Sequence, residues 1–158
     1  MDPTLRKKVL RLLTYGLYVV TARDGEEYAA GTITWLSQCS MEPPLVMAGI
    51  QRESSLHAAI QNSHVFAVHI VGRNQKNLAM SFFKTAKREG MTLNGYRFEA
   101  GFTGAPILAD APAWLEARVL EETRRGDHTV FVAEVVAAGA RGDEEPLTLR
   151  EASFFYGG

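Results

Sequence analysis

The sequence predicts a mainly β domain, a β-barrel or an α+β sheet accompanied by a few short helices. Short β-rich runs recur along most of the chain, separated by Asp-Gly, Pro-Pro and other glycine-containing turn signals. Helical spacing of apolar residues is confined to brief stretches. With 158 residues, 46% hydrophobic and 22% charged, the chain has the size of one domain and needs neither disulfide nor structural metal to build a core.

The elements follow in order. Asp2-Pro3 opens a helix as an N-cap and a first-turn proline. Leu5, Val9, Leu12 and Leu13 share one stripe and Arg6, Lys7, Lys8 and Arg11 take the other faces, so residues 1–14 read as a short amphipathic helix. A basic start before an apolar run resembles a secretory leader, yet Thr14, Tyr15 and Gly16 interrupt that run, which favours a cytoplasmic protein. Gly16 to Arg23 is a strand that ends at the hairpin signal Asp24-Gly25. Tyr28 to Ser40 reads as one long strand, with Thr32, Thr34, Leu36, Gln38 and Ser40 on one face and Ile33, Trp35, Ser37 and Cys39 on the other. Pro43-Pro44 stops it, and Leu45 to Ile50 is short and apolar enough for a buried strand.

Ser54-Ser55 then cap a helix that turns Leu56, Ala59 and Ile60 inward. His64 to Val71 is the next strand. Asn74 to Lys84 is a second short helix, with Leu78, Phe82 and Phe83 inward. Thr85 to Phe102 reads as a long irregular connection, basic at Lys87 and Arg88, of the kind that is functional or mobile. Ala113 to Glu121 and Val130 to Ala140 are strands around the turn at Arg124 to His128. Leu147 to Leu149 and the aromatic Phe154-Phe155-Tyr156 close the chain.

Seventeen basic and eighteen acidic residues leave a net charge of -1, which argues against nucleic acid as partner. Cys39 is the only cysteine, and His57, His64, His69 and His128 show no ligand spacing, so no metal site is expected. No apolar run is long enough to span a bilayer. Phosphate-loop, nucleophile-elbow and dinucleotide fingerprints are missing.

Quieter candidates remain. The hydroxyl-rich stretch Thr32, Thr34, Ser37 and Ser40 suits the polar edge of a planar heterocycle, although threonine also favours strands for packing reasons alone. Gln51-Arg52-Glu53-Ser54-Ser55 leads from a buried strand into a helix N-terminus, where a phosphate binds readily and Lys84 or Lys87 would add charge; an ordinary serine cap is the simpler account. Gly126-Asp127-His128 places a histidine at a turn, either as a donor beside a reacting group or as a half-buried strand residue.

Taken together and in order, these pieces resemble one family. Thr32-Ile33-Thr34-Trp35-Leu36-Ser37-Gln38-Cys39-Ser40 followed by Pro43-Pro44 is similar to the signature strand of the flavin reductase-like, FMN-binding split-barrel proteins, among them flavoredoxin-like members. Phe66 to Ile70, Asn77 to Lys84, Gly104 to Leu108, Ala113 to Ala117 and Gly126-Asp127-His128 resemble later motifs of that family, from Gly16 to Leu149 overall. His69 stands where the family usually has asparagine.

The resemblance implies a Greek-key split barrel, a homodimer, and FMN, or else FAD, near the subunit interface. Thr32, Thr34, Trp35 and Ser37 would lie along the isoalloxazine edge. Gln51, Ser54 and Ser55 would approach the ribityl chain and phosphate, and Phe83 and Lys84 would close that end. His128 would be the catalytic residue, near the nicotinamide of transient NADH or NADPH. FMN is favoured over FAD because the motifs resemble the FMN-holding members. The function implied is NAD(P)H-dependent flavin reduction, with free flavin, oxygen, iron, a partner oxygenase or an electron-transfer protein as acceptor. The alternatives are an FMN-bound electron carrier without NAD(P)H activity, an oxidase of the pyridoxamine-phosphate type, and a barrel that has lost its flavin.

Overall fold

The computed structural model describes residues 1–158. Helix α1 (Pro3–Leu10) begins at Asp2, whose side chain accepts from the Thr4 amide at 3.0 Å. It is shorter than the stretch 1–14 expected from the stripe, and it buries none of its residues. Leu12 and Leu13 lie beyond its end, so the stripe is broken and stays exposed.

Strands β1 (Tyr18–Asp24) and β2 (Glu27–Ile33) form an antiparallel hairpin, turned at Gly25 with φ of +60°. The run expected as one strand then divides. Strand β3 (Leu36–Ser40) pairs with β4 (Leu45–Gln51), on the far side of the sheet from β2. Thr34 and Trp35 carry the chain from one sheet edge to the other, so neighbouring ladders claim the two halves of the run and its alternation is lost between them. Helix α2 (Ser55–Ser63) starts at Ser54, whose hydroxyl accepts from the His57 amide at 3.1 Å. His64 ends it in the left-handed region at φ 61°.

Strand β5 (Val65–Ile70) and helix α3 (Lys76–Ser81) follow. The stretch expected to be irregular instead holds three strands: β6 (Arg88–Glu89), β7 (Thr92–Leu93) and β8 (Tyr96–Ala100). Leu93 pairs with Tyr96 across Asn94-Gly95, both at positive φ, a two-residue hairpin turn that this dipeptide favours. Strand β9 (Pro106–Leu108) completes a four-stranded sheet in the order β6-β7-β8-β9. Strands β10 (Ala113–Thr123) and β11 (His128–Ala140) are the long central pair of the main sheet. Its seven strands run β2-β1-β5-β10-β11-β4-β3, all antiparallel, and β2 does not pair with β3. The architecture is mainly β, and the sheet is not closed into a barrel by hydrogen bonds.

One face of the sheet is covered by α2, and the other is covered only over part of its width. Val20, Ala22, Ile50, Phe66, Val68 and Phe131 pack with Leu56 and Ile60 of α2. On the other face Leu17, Val19, Leu78, Phe82, Leu93, Phe98 and Leu108 form a second core. Adjacent Val19 and Val20 are therefore both fully buried, which is why β1 reads as a continuous apolar run rather than an alternating one. Phe82 belongs to this core, whereas Phe83, expected inward, is exposed and packs edge-on against Phe154 at 4.9 Å.

Buried polar groups tie the layers together. His69 is fully buried between β1 and β9. Its Nδ1–H donates to the Val19 carbonyl at 2.9 Å and its Nε2 accepts from the Leu108 amide at 3.0 Å. Burial pushes its pKa down to about 4, so it sits there neutral. An imidazole with one donor and one acceptor can fill the place of an asparagine amide. Glu116 is also buried, and its carboxylate accepts from the Phe102 amide and from the amide and hydroxyl of Thr103. No helix is long and apolar enough to cross a membrane.

Candidate functional site

A cavity of about 870 Å³ opens between the end of β2, the Thr34-Trp35 crossing, the end of β4, the start of α2 and the C-terminal residues 153–156. Thr32, Thr34, Trp35, Gln51, Ser54, Ser55, Phe83, Lys84 and His128 all line it. These residues are scattered over nearly a hundred positions of sequence, and the sheet order brings them together. His128, the first residue of β11, lies opposite Gln51, the last of β4. Ser37 is not in the wall: it stands exposed on β3 and donates its hydroxyl to the Gln38 carbonyl at 3.0 Å. Its displacement follows from the division of the long run, since β3 belongs to the other sheet edge.

Several lining groups already have partners. The Thr32 hydroxyl donates to the Ala79 carbonyl at 2.6 Å and its amide to the Phe82 carbonyl at 3.1 Å. Thr32 thus fastens the free edge of β2 to α3 and retains only acceptor capacity toward the cavity. The Ser54 hydroxyl donates to the Gln51 carbonyl at 2.8 Å while it caps α2. Amides of the first helical turn have no intrahelical acceptor, and the dipole there favours an anion. Lys84 is the one lysine or arginine in the wall, and Glu53 also lines it. Arg52 faces away and holds the turn, its guanidinium donating to the Gly126 carbonyl at 3.2 Å and its amide to Asp127 at 2.9 Å.

Two polar atoms of the wall are buried without partners: Thr34 Oγ1 and Trp35 Nε1. Groups of this kind are uncommon in folded proteins because an unpaired buried donor costs about 1–3 kcal/mol. Both residues line the cavity through other atoms, and a ligand would reach these two only where the groups covering them move aside. The wall here is tight, since a Cβ built on Gly49 would lie 3.3 Å from the Trp35 Cβ.

His128 is half-buried against Trp35, with ring centroids 4.5 Å apart. Its Nδ1 lies 2.7 Å from Asp127 Oδ1 and its Nε2 2.7 Å from the Tyr156 hydroxyl. The hydrogen bond from His128, with its charge second, holds the Asp127 carboxyl below its ordinary range. Asp127 lies in the Gly126-Asp127-His128 motif, but nothing in sequence marks it as the Nδ1 partner of His128. The aromatic terminal cluster was the only signal of Tyr156. By contrast His57 lies outside the site, buried against Phe131 with its Nε2 2.7 Å from Thr129 Oγ1, and burial lowers its pKa.

Residues 10–158 match the family described as the flavin reductase like domain. The FMN reductase (NADH) SmoA of Agrobacterium fabrum is 30% identical over 148 residues, covering 94% of this chain and 82% of that protein. The solved styrene monooxygenase flavin reductase of Pseudomonas putida S12 superposes with a TM-score of 0.78 at 28% identity, over 98% of this chain and 96% of that one. High molecular weight rubredoxin of Moorella thermoacetica is 29% identical over 143 residues, 89% of this chain, and the chain spans only 62% of its length.

Proposed function

The chain belongs to the flavin reductase like domain family, and from that premise we propose that it is an NAD(P)H-dependent flavin reductase, with FMN as the preferred flavin. The observation that carries the reading is the cavity that gathers Thr32, Thr34, Trp35, Gln51, Ser54, Lys84 and His128. Its partly apolar wall, with a helix N-terminus at one end, suits a heteroaromatic ring that continues into a phosphate. When bound, the flavin supplies the two-electron acceptor that takes hydride from a reduced nicotinamide.

The chain's own residues then bind, orient and exclude water. Thr34 and Trp35, with Thr32 as an acceptor, hold the ring edge. Gln51, Ser54 and Ser55 reach the ribityl chain and phosphate, and Phe83 and Lys84 close that end, the ammonium offsetting phosphate charge. Ser37 has no part in this reading, because it stands outside the wall. His128 faces the nicotinamide. Asp127 Oδ1 accepts from Nδ1–H of the imidazole, which turns Nε2 toward the cavity and the Tyr156 hydroxyl. No nucleophile is needed, because positioning two rings in contact is the protein's task.

A Greek-key split barrel and a homodimer belong to the same reading. Met47, Leu120 and Val130, exposed on the adjoining strands β4, β10 and β11, are apolar surface that a second copy would cover. A partner oxygenase is the acceptor favoured for the reduced flavin, by analogy with the styrene monooxygenase reductase. A cytoplasmic setting fits a protein whose one cysteine, Cys39, is free and exposed.

Anaerobic mixing of the flavin-loaded protein with NADH, then NADPH, tests the function. Loss of oxidised-flavin absorbance within seconds is the expected result. A protein that holds flavin tightly and stays oxidised under both would be an electron carrier.

A further inference from the structure

The C-terminal residues bring to the site a group that stands where a substrate ring would. Tyr156 lies edge-on to Trp35, with centroids 5.1 Å apart, and its hydroxyl meets His128 Nε2 at 2.7 Å. With Asp127 Oδ1 accepting from Nδ1–H of the neutral ring, Nε2 is the acceptor and the tyrosine O–H the donor in that bond. Burial raises the pKa of the phenol, which keeps it protonated for the purpose. Tyr156 therefore occupies at once the aromatic surface of Trp35 and the free nitrogen of His128.

Its hold is light. Phe155 beside it is 81% exposed, and the segment beyond is tied by one bond from Arg11 Nε to the Gly157 carbonyl at 3.2 Å. Closure also has a cost. Gly157 lies against the indole of Trp35, where a Cβ would sit 3.9 Å from Nε1, and that N–H is buried with no acceptor. Withdrawal of the tail would expose the N–H to water or to a ligand, so the closed state works against an unmet hydrogen bond.

We propose that Tyr156 is a place-holder for the nicotinamide ring: it fills the Trp35–His128 corner in the resting protein, and the pyridine nucleotide binds by displacing it. This rests on the reading of His128 as the residue that faces the nicotinamide. The apparent dissociation constant for the nucleotide is then the intrinsic one divided by the fraction of protein with the tail withdrawn. Deleting one hydrogen bond of ordinary strength raises that fraction about fivefold while the closed state dominates.

The test is calorimetric titration of the oxidised, flavin-loaded protein with NAD+, which binds without reacting. Tyr156→Phe keeps the ring and loses only the hydroxyl; it should bind NAD+ about fivefold more tightly, with flavin affinity unchanged. In the Tyr156→Phe background, where the bond to the tail is already gone, His128→Ala should bind NAD+ more weakly than Tyr156→Phe alone. Amide hydrogen exchange in residues 155–158 of the wild type should speed up when NAD+ is added. If His128→Ala weakens NAD+ binding in that background but Tyr156→Phe alone leaves it unchanged or weaker, the place-holder is refuted and the reading of His128 stands. If His128→Ala has no effect in that background, the reading of His128 fails and the proposal fails with it. Unchanged exchange of the tail on saturation with NAD+ also overturns the proposal.

Discussion

Replacing His69 by asparagine should flatten the acid limb of the protein's stability curve. In the folded protein the imidazole is sealed between the Val19 carbonyl and the Leu108 amide and takes up a proton only near pH 4, against an ordinary value of 6.5. Burial is the main cause; the Val19 carbonyl works against it, Arg141 adds to it and Glu116 again opposes it. Between those two values the unfolded chain holds more protons than the folded one, so stability rises with pH there. The contribution of neutral His69 is complete above about pH 6.5 and is lost as pH falls toward 4. Each pH unit of that gap is worth about 1.4 kcal/mol, which makes the whole on the order of 3 kcal/mol. Roughly 2 kcal/mol of this falls between pH 7 and pH 5. His69→Asn keeps a donor and an acceptor but removes the titration. Urea denaturation at pH 7, 6 and 5 and constant ionic strength measures both proteins. The variant should be less stable at pH 7, because a smaller side chain fills the site imperfectly, and the two should converge by about 2 kcal/mol at pH 5. His57, also depressed by burial, titrates in both proteins and cancels from the difference. Parallel pH profiles would refute the reasoning, since His69 would then not be the group taking up the proton.

His128→Ala should retain flavin and slow its reduction by NAD(P)H in stopped-flow mixing, because a positioning group acts on rate more than on cofactor affinity. Lys84→Ala should weaken FMN retention about ten- to a hundredfold in equilibrium dialysis, the worth of a charge-assisted contact of about 1.5–3 kcal/mol. Thr32→Val removes the 2.6 Å bond to Ala79 and should cost about 1 kcal/mol in urea denaturation. Hydrogen exchange in α3 should rise with it.

Much of the cavity could be read from the chain, because its residues carry local chemical signals. A serine before a helical pattern marks Ser54, a glycine-aspartate turn marks His128, and a hydroxyl-rich run marks Thr32 and Thr34. What failed was the assumption that one alternation ran from Tyr28 to Ser40. Period-two patterning says which residues share a face only while the same ladder continues, and here the ladder changes at Thr34-Trp35. Ser37, assigned to the ring edge by resemblance and not by alternation, stands on β3 outside the cavity wall for that reason. The β7–β8 hairpin could have been found, since Leu93-Asn94-Gly95-Tyr96 carries the strongest short hairpin signal in the chain. Strands of two residues were hidden by the basic, polar composition around them. Tyr156 was beyond reach, because a contact spanning 28 positions to His128 leaves no periodic trace. The partners of His69 were equally invisible, being 50 and 39 positions away.

The crossing at Thr34-Trp35 also sets a mechanical limit. Ile33 ends the strand at one margin of the sheet and Leu36 begins the strand at the other, so three backbone steps join the two margins. Three steps of trans peptide reach about 11 Å at most. At that end the gap between the margins is tethered and cannot widen further, whatever enters it. At the other end the walls are Phe82 to Thr85 and the C-terminal residues, which no such short span connects to β4. Any breathing of the cavity must therefore resemble a clasp knife, pivoting about Thr34-Trp35 and spreading toward Lys84. At the pivot the separation of the two margins is capped by chain length alone, before any side chain is consulted.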